Sequence, residues 1–398
     1  MAAIGRRWWG AAMAVVGLLA GCGGGGTAAP ADTVAETTLS AQARLGVLIF
    51  SDTSLSASGR QSCATCHGAD AAFAAPNDLA VQPGGVLMDQ PGRRAAQTLR
   101  YLTTNRAFRF ESDGTPTGGF FWDGRAVSLQ DQAGRPFLNE IEMANGSVAE
   151  VVDRLSRAAY ADEFKRVYGA DIFTRADDAF ARMTLALQQF QREDPAFIPF
   201  SSKYDAFLRG TAALTEQELR GLALFNRVDK GNCAACHPST RGADGSLPLF
   251  TDFSYDNLGV PRNPELVRNA DPFYFDLGLC EREGGDLVAR TDLCGAFKVP
   301  TLRNVATRRV FFHNGRFKTL KETLTFYVQR DIQPEKFYPV EADGTVRKFD
   351  DVPPEFRGNA NTTEAPYNRR PGDAPALSDA EIDDVIAFLK TLTDGWTP

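Results

Sequence analysis

Two short segments of the chain share the pattern Cys-x-x-Cys-His, which can attach a metal-containing group. They are Cys63-Ala-Thr-Cys66-His67 and Cys233-Ala-Ala-Cys236-His237. Two thiols at this spacing can form thioether bonds to the vinyl groups of one haem, and the adjacent histidine can then ligate the iron. A zinc site or a redox dithiol is the alternative, but zinc would need further partners and the chain has only three histidines. The two motifs therefore predict two covalent c-type haems, with His67 and His237 as iron ligands.

The chemistry of each haem depends on the ligand on the opposite face of its iron. A second protein ligand makes an electron-transfer haem, whereas an open face lets the iron bind peroxide or oxygen. No methionine follows the second motif, which leaves His313, a tyrosine, a lysine or solvent for the C-terminal haem. Near the first motif the only thioether is that of Met88, which we interpret as a packing residue. We therefore expect the N-terminal haem to have an open face.

The three remaining cysteines indicate an exported protein. Residues 1–22 read MAAIGRRWWGAAMAVVGLLAGC, with two arginines, a short apolar run and a Leu-Ala-Gly-Cys ending. This ending is typical of a bacterial lipoprotein signal, which would make Cys22 the acylated first residue; ordinary cleavage nearby would leave it a free thiol. Cys280 and Cys294 are separated by 13 residues and are expected to form a disulfide in an exported chain, the alternative being two free thiols.

The charge and hydropathy of the chain limit its partners. The 398 residues carry a formal charge of −7, and removal of residues 1–21 takes away two arginines and no acid, which gives −9. An acidic body does not suggest a nucleic-acid partner and is compatible with docking of a basic redox protein. The apolar run near the start is too short for a spanning helix, so membrane contact is expected through the lipid anchor only.

The segments around the two motifs resemble each other, which indicates a duplicated domain. Each motif follows a short helical segment, with Gly46 and Phe50 in the first copy and Gly221 and Phe225 in the second. Apolar stripes at 180–190 and 382–392 predict a closing helix for each copy. The helix after residue 215 has a capping box, Thr215 with Glu218, and the last helix has another, Ser378 with Glu381.

We therefore predict an all-α chain of two cytochrome c-like domains, with one c-type haem each, long ordered loops and almost no strand. The predicted boundaries are 1–21 for a lipoprotein signal peptide, 22–38 for a flexible tether, 39–198 for the N-terminal domain and 199–398 for the C-terminal domain.

Two longer segments add a family resemblance. Residues 118–144, GGFFWDGRAVSLQDQAGRPFLNEIEMA, and 297–327, FKVPTLRNVATRRVFFHNGRFKTLKETLTFY, together with the haem motifs, resemble the bacterial dihaem cytochrome c peroxidases and the related MauG-type enzymes. The resemblance covers essentially all of the predicted mature sequence. It implies that Trp122 lies between the haems and lets them share electrons. It also implies that Gln132 and Glu142 lie over the N-terminal haem, where a carboxylate could move a proton while peroxide is cleaved.

The resemblance also bears on the second ligand of the C-terminal haem. In the peroxidases a segment T-L-x-E-x-x-x-x-M supplies a methionine, whereas here the same spacing from Thr319 and Glu322 leads to Tyr327, as in the MauG-type enzymes. A phenolate favours ferric and higher iron states, whereas a thioether favours the ferrous state. We therefore expect Tyr327 to be the ligand, with His313 as the alternative. His313 matches a histidine that the peroxidases have in addition to their methionine, which favours a hydrogen-bonding or packing role.

The chain departs from the family pattern at two places. The removable distal histidine of peroxidases that need reductive activation has no counterpart, so activity without prior reduction is expected. The family's calcium site between the haems uses an asparagine, for which this chain has Ala95, and the loop that donates carbonyls reads ATRRV. A calcium ion would therefore depend on carbonyl groups and water.

The resemblance implies an oxidoreductase that reduces hydrogen peroxide to water, with the N-terminal haem as the peroxidatic centre and the C-terminal haem as the electron-transfer centre. High-valent iron would be shared between the haems, and a small periplasmic cytochrome c or cupredoxin would supply electrons. Two alternatives stay open: a MauG-like oxidase that modifies residues of a partner protein, and a dihaem electron carrier without catalysis. The expected location is the periplasmic side of a bacterial membrane, with the outer membrane favoured.

Overall fold

The structure, a computed structural model, describes residues 39–398. The predicted signal peptide, the tether and the lipidation site Cys22 lie outside the described residues. Helices dominate the regular structure of the described part. They are α1 (Ala41–Ser51), α2 (Cys63–Cys66), α3 (Leu129–Leu138), α4 (Val148–Ser156), α5 (Ala161–Tyr168), α6 (Ala176–Glu193), α7 (Lys203–Leu208), α8 (Glu216–Asn226), α9 (Leu320–Gln329) and α10 (Asp379–Lys390).

The strands of the described part have two residues each and form three antiparallel pairs. They are β1 (Pro83–Gly84) with β2 (Gln90–Pro91), β3 (Arg109–Phe110) with β4 (Pro116–Thr117), and β5 (Tyr255–Asp256) with β6 (Phe297–Lys298). The prediction of a helix-rich chain with few strands is therefore confirmed. Within residues 39–398, no helix combines the length and the apolar character that crossing a bilayer would require.

Two pairs of helices cross closely, one pair in each half of the chain. Helix α1 packs against α6 and α8 packs against α10. A Cβ atom added at Gly46 would lie 2.2 Å from the carbonyl oxygen of Ala186, and one added at Gly221 would lie 2.0 Å from that of Asp384. Because real Cβ atoms do not approach backbone this closely, both crossings require glycine. The two glycines that mark the sequence repeat thus occupy equivalent positions in the two helix pairs.

The helix starts follow the predicted caps. The side chain of Thr215 accepts a hydrogen bond from the backbone N of Glu218, and the Glu218 carboxylate accepts one from the backbone N of Thr215. The same reciprocal pair joins Ser378 and Glu381 at the start of α10. These bonds satisfy backbone donors that a helix start leaves free, so they fix where α8 and α10 begin.

The buried apolar residues form two main clusters within one compact unit. One cluster draws its buried members from residues 45–197 and the other from residues 204–392. The second half also contains an ion pair between Arg303 and Asp205, whose side chains are completely buried and joined by hydrogen bonds of 2.8 and 2.9 Å. The clusters fall on either side of the boundary expected near residue 198, and the division into two domains stays a prediction.

A seam of polar side chains connects the last residues of the chain to both halves. The carboxylate of Asp394 accepts hydrogen bonds from the hydroxyl of Tyr101 at 2.7 Å and from the side-chain amide of Asn304 at 2.6 Å. Arg100 donates to the same carboxylate at 3.2 Å. A single acidic side chain therefore ties the segment around residue 100 to the segment around residue 304.

The long loops are ordered by local turns and by one covalent link. The segments 241–278 and 331–376, expected as loops, contain no α-helix. A disulfide joins Cys280 and Cys294, the pair expected from the sequence, with a Cα–Cα distance of 4.9 Å. It connects two short 3-10 turns at Leu279–Glu281 and Thr291–Leu293.

Candidate active site

The first Cys-x-x-Cys-His motif forms a single helical turn followed by an oriented imidazole. Helix α2 starts after Ser62, whose backbone N donates to the hydroxyl of Thr65 at 2.9 Å. Nδ1 of His67 lies 3.1 Å from the carbonyl oxygen of Phe73. This bond leaves Nε2 for a metal, and burial lowers the pKa of His67, so the imidazole is held in the neutral form that ligates iron.

The second motif repeats this arrangement with a 3-10 turn at Cys233–Ala235. Asn232, just before it, takes a left-handed backbone conformation with φ of 50°. Nδ1 of His237 lies 2.8 Å from the carbonyl oxygen of Phe250, and burial lowers the pKa of this histidine as well. The imidazoles of both motifs are thus oriented in the same way, by a backbone carbonyl 6 or 13 residues further along the chain.

The thiols of the motifs do not have the character of a redox dithiol. Burial raises the pKa of Cys63 and Cys233 to about 12 and that of Cys66 to about 11. Reactive dithiols have a lowered pKa, because the thiolate is the nucleophile. The raised values fit cysteines that serve as points of covalent attachment.

Each motif opens onto its own cavity. The N-terminal cavity is lined by Cys66, His67, Gln132 and Glu142, among other residues. The C-terminal cavity has largely apolar walls and is lined, among other residues, by Cys233, Cys236, His237, His313 and Tyr327. Paired thiols and a neutral imidazole with a free Nε2 are what attachment of a covalent haem requires, and each motif supplies them, so the residues present fit one haem in each cavity.

Helix α3 and the turn after it supply the polar wall of the N-terminal cavity. Gln132 lies within α3, and Glu142 follows it in a turn in which Asn139 donates to the Glu142 carboxylate at 2.8 Å. Burial raises the pKa of Glu142, and the charge of Arg125 and the bond from Asn139 offset this only in part. A carboxyl group with a raised pKa can hold and release a proton nearer to neutral pH than an exposed one.

Close packing of backbone fixes the position of Glu142. The backbone N of Gly85 donates to the carbonyl oxygen of Glu142 at 2.8 Å. At Gly84 an added Cβ atom would lie 2.2 Å from the carbonyl oxygen of Ile141, so strand β1 can approach this turn only with glycine at that position. The loop after the first haem motif thereby positions Glu142, the acid that follows helix α3.

Met88 lies in the same loop but is not among the described residues that line the N-terminal cavity. Its sulfur lies 3.5 Å from the hydroxyl of Ser58, which donates to it. These contacts agree with the interpretation of Met88 as a packing residue.

Trp122 lies between the two cavities and lines both. It is buried, and its indole N–H donates to the carbonyl oxygen of Ala95 at 2.9 Å. The backbone N of Ala95 in turn donates to the carbonyl oxygen of His313 at 2.7 Å. Ala95, aligned with the asparagine of the family's calcium site, therefore has no side-chain oxygen to offer, and its carbonyl oxygen already accepts from Trp122.

The two ligand candidates for the C-terminal haem differ in their contacts. The ring of His313 stacks on Phe297 with a centroid distance of 3.6 Å, and its Nε2 lies 3.2 Å from the carboxylate of Asp351. Tyr327 lies on α9, whose start is fixed by a capping box, and its ring is 5.9 Å from that of Tyr367. Burial raises the pKa of Tyr327, so only a strong electrophile such as a ferric ion would make it a phenolate.

Two buried cations, Arg94 in the N-terminal cavity and Lys298 in both cavities, are additional features that sequence reasoning did not single out. Arg94 donates to Asp123 at 2.6 Å and to Asp276 at 2.7 Å. Lys298 lines both cavities and donates from Nζ to the carbonyl oxygen of Gly119 at 2.6 Å. The signal for Lys298 was a lone charge in the otherwise apolar run Ala-Phe-Lys-Val-Pro.

Comparison with known proteins gives a consistent result. A family model described as di-haem cytochrome c peroxidase matches residues 40–213. The chain is 35% identical to the methylamine utilization protein MauG of Paracoccus denitrificans, over 89% of each chain. It is 30% identical to the cytochrome c peroxidase Ccp of Escherichia coli, over 89% of this chain and 58% of that protein.

A solved structure is also similar over most of the chain. The crystal structure of the diheme peroxidase BthA from Burkholderia thailandensis matches with a TM-score of 0.81 and 38% sequence identity, over 90% of this chain and 87% of that one. Relatives of both the peroxidase and the MauG kind are thus similar to this chain, and together they imply two c-type haems and an oxidoreductase activity. The chain belongs to the di-haem cytochrome c peroxidase and MauG family.

Proposed function

We propose that the chain is a peroxidase that reduces hydrogen peroxide to water at the N-terminal cavity. The observation that carries this proposal is the placement of Glu142, a carboxyl group with a raised pKa, in the wall of the cavity that also contains His67. Among the described residues that line this cavity there is no methionine, no tyrosine and no second histidine. An iron held by His67 would therefore have an open face on which peroxide could bind.

The residues that would hold the two haems follow from the two cavities. Cys63, Cys66 and His67 would hold one haem, and the second motif the other, with Tyr327 as its second ligand. Bound haem iron supplies the redox chemistry that splits the O–O bond.

The proton chemistry belongs to the side chains. Glu142 would take a proton from one peroxide oxygen and return it to the other, which would leave as water. Asn139 holds the carboxylate in place through its 2.8 Å hydrogen bond, and Gln132 in the same wall orients the peroxide. Reduction of one peroxide to two water molecules consumes two protons and two electrons.

Trp122 is proposed as the route of those electrons between the cavities. It lines both, and its indole N–H is held by the carbonyl oxygen of Ala95, so its orientation is fixed without a charged partner. A small cytochrome c or cupredoxin would return two electrons per peroxide. We propose further that the protein is exported and anchored by lipid, as residues 1–22 and the Cys280–Cys294 pair suggest.

A second function, oxidation of residues on a partner protein as by MauG-type enzymes, is favoured by Tyr327. A phenolate ligand favours higher iron states and would store oxidising equivalents for longer. The similarity to MauG of Paracoccus denitrificans over 89% of the chain supports the same alternative.

The EPR spectrum of the resting ferric protein tests the proposed arrangement. We expect one high-spin signal from the open N-terminal haem and one low-spin signal from the C-terminal haem; two low-spin signals would contradict the open face.

The catalytic outcome is tested by adding peroxide to the fully oxidised protein, first with a reduced small cytochrome c or cupredoxin and then with a co-encoded protein. Two donor molecules oxidised per peroxide would support peroxide removal. The second function would be supported instead if peroxide is consumed without oxidation of the donor and mass spectra show covalent oxidation of the co-encoded protein.

A further inference from the structure

Trp122 and Lys298 are the only described residues that line both cavities. They are also directly bonded, because the backbone N of Lys298 donates to the carbonyl oxygen of Trp122 at 2.8 Å. Strand β6, which ends at Lys298, is held in place by pairing with β5, where Tyr255 stands opposite Lys298. The backbone of Lys298 is therefore held between the cavities by Trp122 and by the paired strand.

The ammonium group of Lys298 is buried with few partners. The residue is 4% exposed, and Nζ donates one hydrogen bond, to the carbonyl oxygen of Gly119 at 2.6 Å. It has no ion pair with any residue of the range 39–398. A buried ammonium has three donors, so two form no hydrogen bond with residues 39–398, although Nζ lies 5.9 Å from the centroid of the Phe120 ring. Burial accordingly lowers the pKa of Lys298 to about 7.

The charged and titratable groups around the lysine come from three neighbouring segments. Asp123 is the acid whose charge acts on the ammonium, but its carboxylate is already shared by Arg94 at 2.6 Å and Arg125 at 2.9 Å. These partners lower the pKa of Asp123 and keep it ionised. Tyr255, on the paired strand, donates its hydroxyl to the carbonyl oxygen of Gly118, and its pKa is raised by burial, so it stays neutral.

The remaining acids nearby belong to other contacts. Asp256, next to Tyr255 on β5, accepts from Asn361 and has a pKa raised by burial. Asp276 is bound by Arg94 and stays ionised. Lys298 is thus a buried cation that lines both cavities and has no carboxylate partner among residues 39–398.

We propose that Lys298 is a second residue of the bridge between the haems, and that its charge controls how readily Trp122 gives up an electron. This inference rests on the proposed function, in which Trp122 carries electrons between the cavities. A positive charge beside an indole opposes removal of an electron from it, and the opposition is strong in a buried environment. Loss of the lysine proton therefore favours the sharing of oxidising equivalents.

The electron and proton balance of this step is simple. Trp122 loses one electron toward the N-terminal cavity and regains one from the C-terminal cavity, while its indole proton stays on the hydrogen bond to Ala95. Lys298 exchanges its proton with solvent and is not consumed. Lys298 is therefore a positioning residue that acts through Trp122, and it does not touch the peroxide.

Two variants of the full-length protein with both haems test the proposal: Lys298→Met, which removes the charge at similar length, and Lys298→Arg, which keeps it at every pH. One equivalent of hydrogen peroxide is added at several pH values below and above about 7. Freeze-quench EPR then gives the rate at which the low-spin signal of the C-terminal haem is lost, and absorption and circular dichroism spectra confirm folding.

In the native protein we expect this rate to rise with pH by about tenfold or more. Lys298→Met should be fast and Lys298→Arg slow, both without that pH dependence. The control Lys318→Met removes a partly exposed lysine that pairs with Glu265 and lines neither cavity, and it should keep the native profile. A native pH profile in Lys298→Met would overturn the proposal, and so would a fast Lys298→Arg.

Trp122→Phe separates this inference from the function on which it rests. If Trp122→Phe stops the loss of the low-spin signal but Lys298→Met behaves like the native protein, only the role of the lysine is wrong. If Trp122→Phe leaves the rate unchanged, the electron route itself is wrong, and the inference fails with it.

Discussion

Substitution of Glu142 by glutamine is the sharpest test of the proposed peroxide chemistry. The change keeps the shape of the side chain and its hydrogen bond from Asn139 but removes the proton acceptor. General acid–base catalysis by a positioned side chain contributes about 10² to 10⁴-fold. At 1.36 kcal/mol per factor of ten, we expect the barrier to rise by about 2.7–5.4 kcal/mol.

The pH dependence of peroxide turnover by the native enzyme should reflect the ionisation of Glu142. Burial raises the pKa of Glu142 above its ordinary value, and only the ionised form can accept a proton from peroxide. We therefore expect kcat/KM for peroxide to fall as the pH drops through this raised pKa, and we expect the acidic limb to be absent in Glu142→Gln.

The Glu142→Gln variant should lose activity without losing stability. A carboxyl whose pKa is raised in the folded state stabilises the fold below its unfolded pKa, and this contribution is lost as the pH rises through the folded pKa. At neutral pH the glutamine variant should therefore unfold in denaturant no more easily than the native protein. A loss of activity with intact stability would point to chemistry and not to folding.

The matched control is Glu216→Gln, which makes the same change of charge on an exposed side chain that lines neither cavity. Both variants are assayed by steady-state peroxide turnover with a reduced small cytochrome c. The control should retain activity within about twofold, as surface substitutions usually do. Less than a tenfold loss in Glu142→Gln, or an equal loss in the control, would refute the role given to Glu142.

Three further predictions concern the haem ligand and the packing of the second half of the chain. Tyr327→Met should shift the reduction potential of the C-terminal haem to more positive values, because a thioether favours ferrous iron; an unchanged potential in a spectroelectrochemical titration would exclude tyrosine ligation. Asp205→Asn leaves Arg303 without its buried partner and should lower the free energy of unfolding in denaturant by about 3–5 kcal/mol. The control Asp384→Asn breaks an ion pair with an exposed arginine and should lower it by at most about 1 kcal/mol. Gly221→Ala should destabilise the protein by about 1–3 kcal/mol, because the added Cβ atom would lie 2.0 Å from the backbone of Asp384. This clash outweighs the gain of about 1 kcal/mol that alanine usually brings to a helix. A variant as stable as the native protein, or more stable, in the same unfolding measurement would contradict the close crossing.

Local patterns in the sequence predicted the parts of the fold that depend on neighbouring residues. The capping boxes at Thr215 and Ser378 are bonds between residues three apart, so their spacing is visible in the sequence, and both helices begin there. The repeated glycine and phenylalanine indicated a duplicated helix. That Gly46 and Gly221 are needed for close helix crossings became clear only from the structure, since their contacts are more than a hundred residues away.

The sequence predicted those site residues that belong to a short motif. It did not predict charged residues whose partners come from distant segments of the chain. Each haem motif carries its two cysteines and its histidine within five residues. Lys298 and Arg94 acquire their surroundings from loops that are far apart in the chain, so a lone charge in an apolar run was the only sign of the lysine. Long-range pairing of this kind has no local signature.

The seam formed by Asp394 has a consequence for the order in which the protein is completed. Asp394 follows both haem motifs in the sequence, and its carboxylate binds Arg100, Tyr101 and Asn304. During synthesis these bonds cannot form until all four haem-binding thiols have already been made. The link through Asp394 is therefore completed later in synthesis than the links made by Asp276 and Lys298, and only after both haem motifs exist.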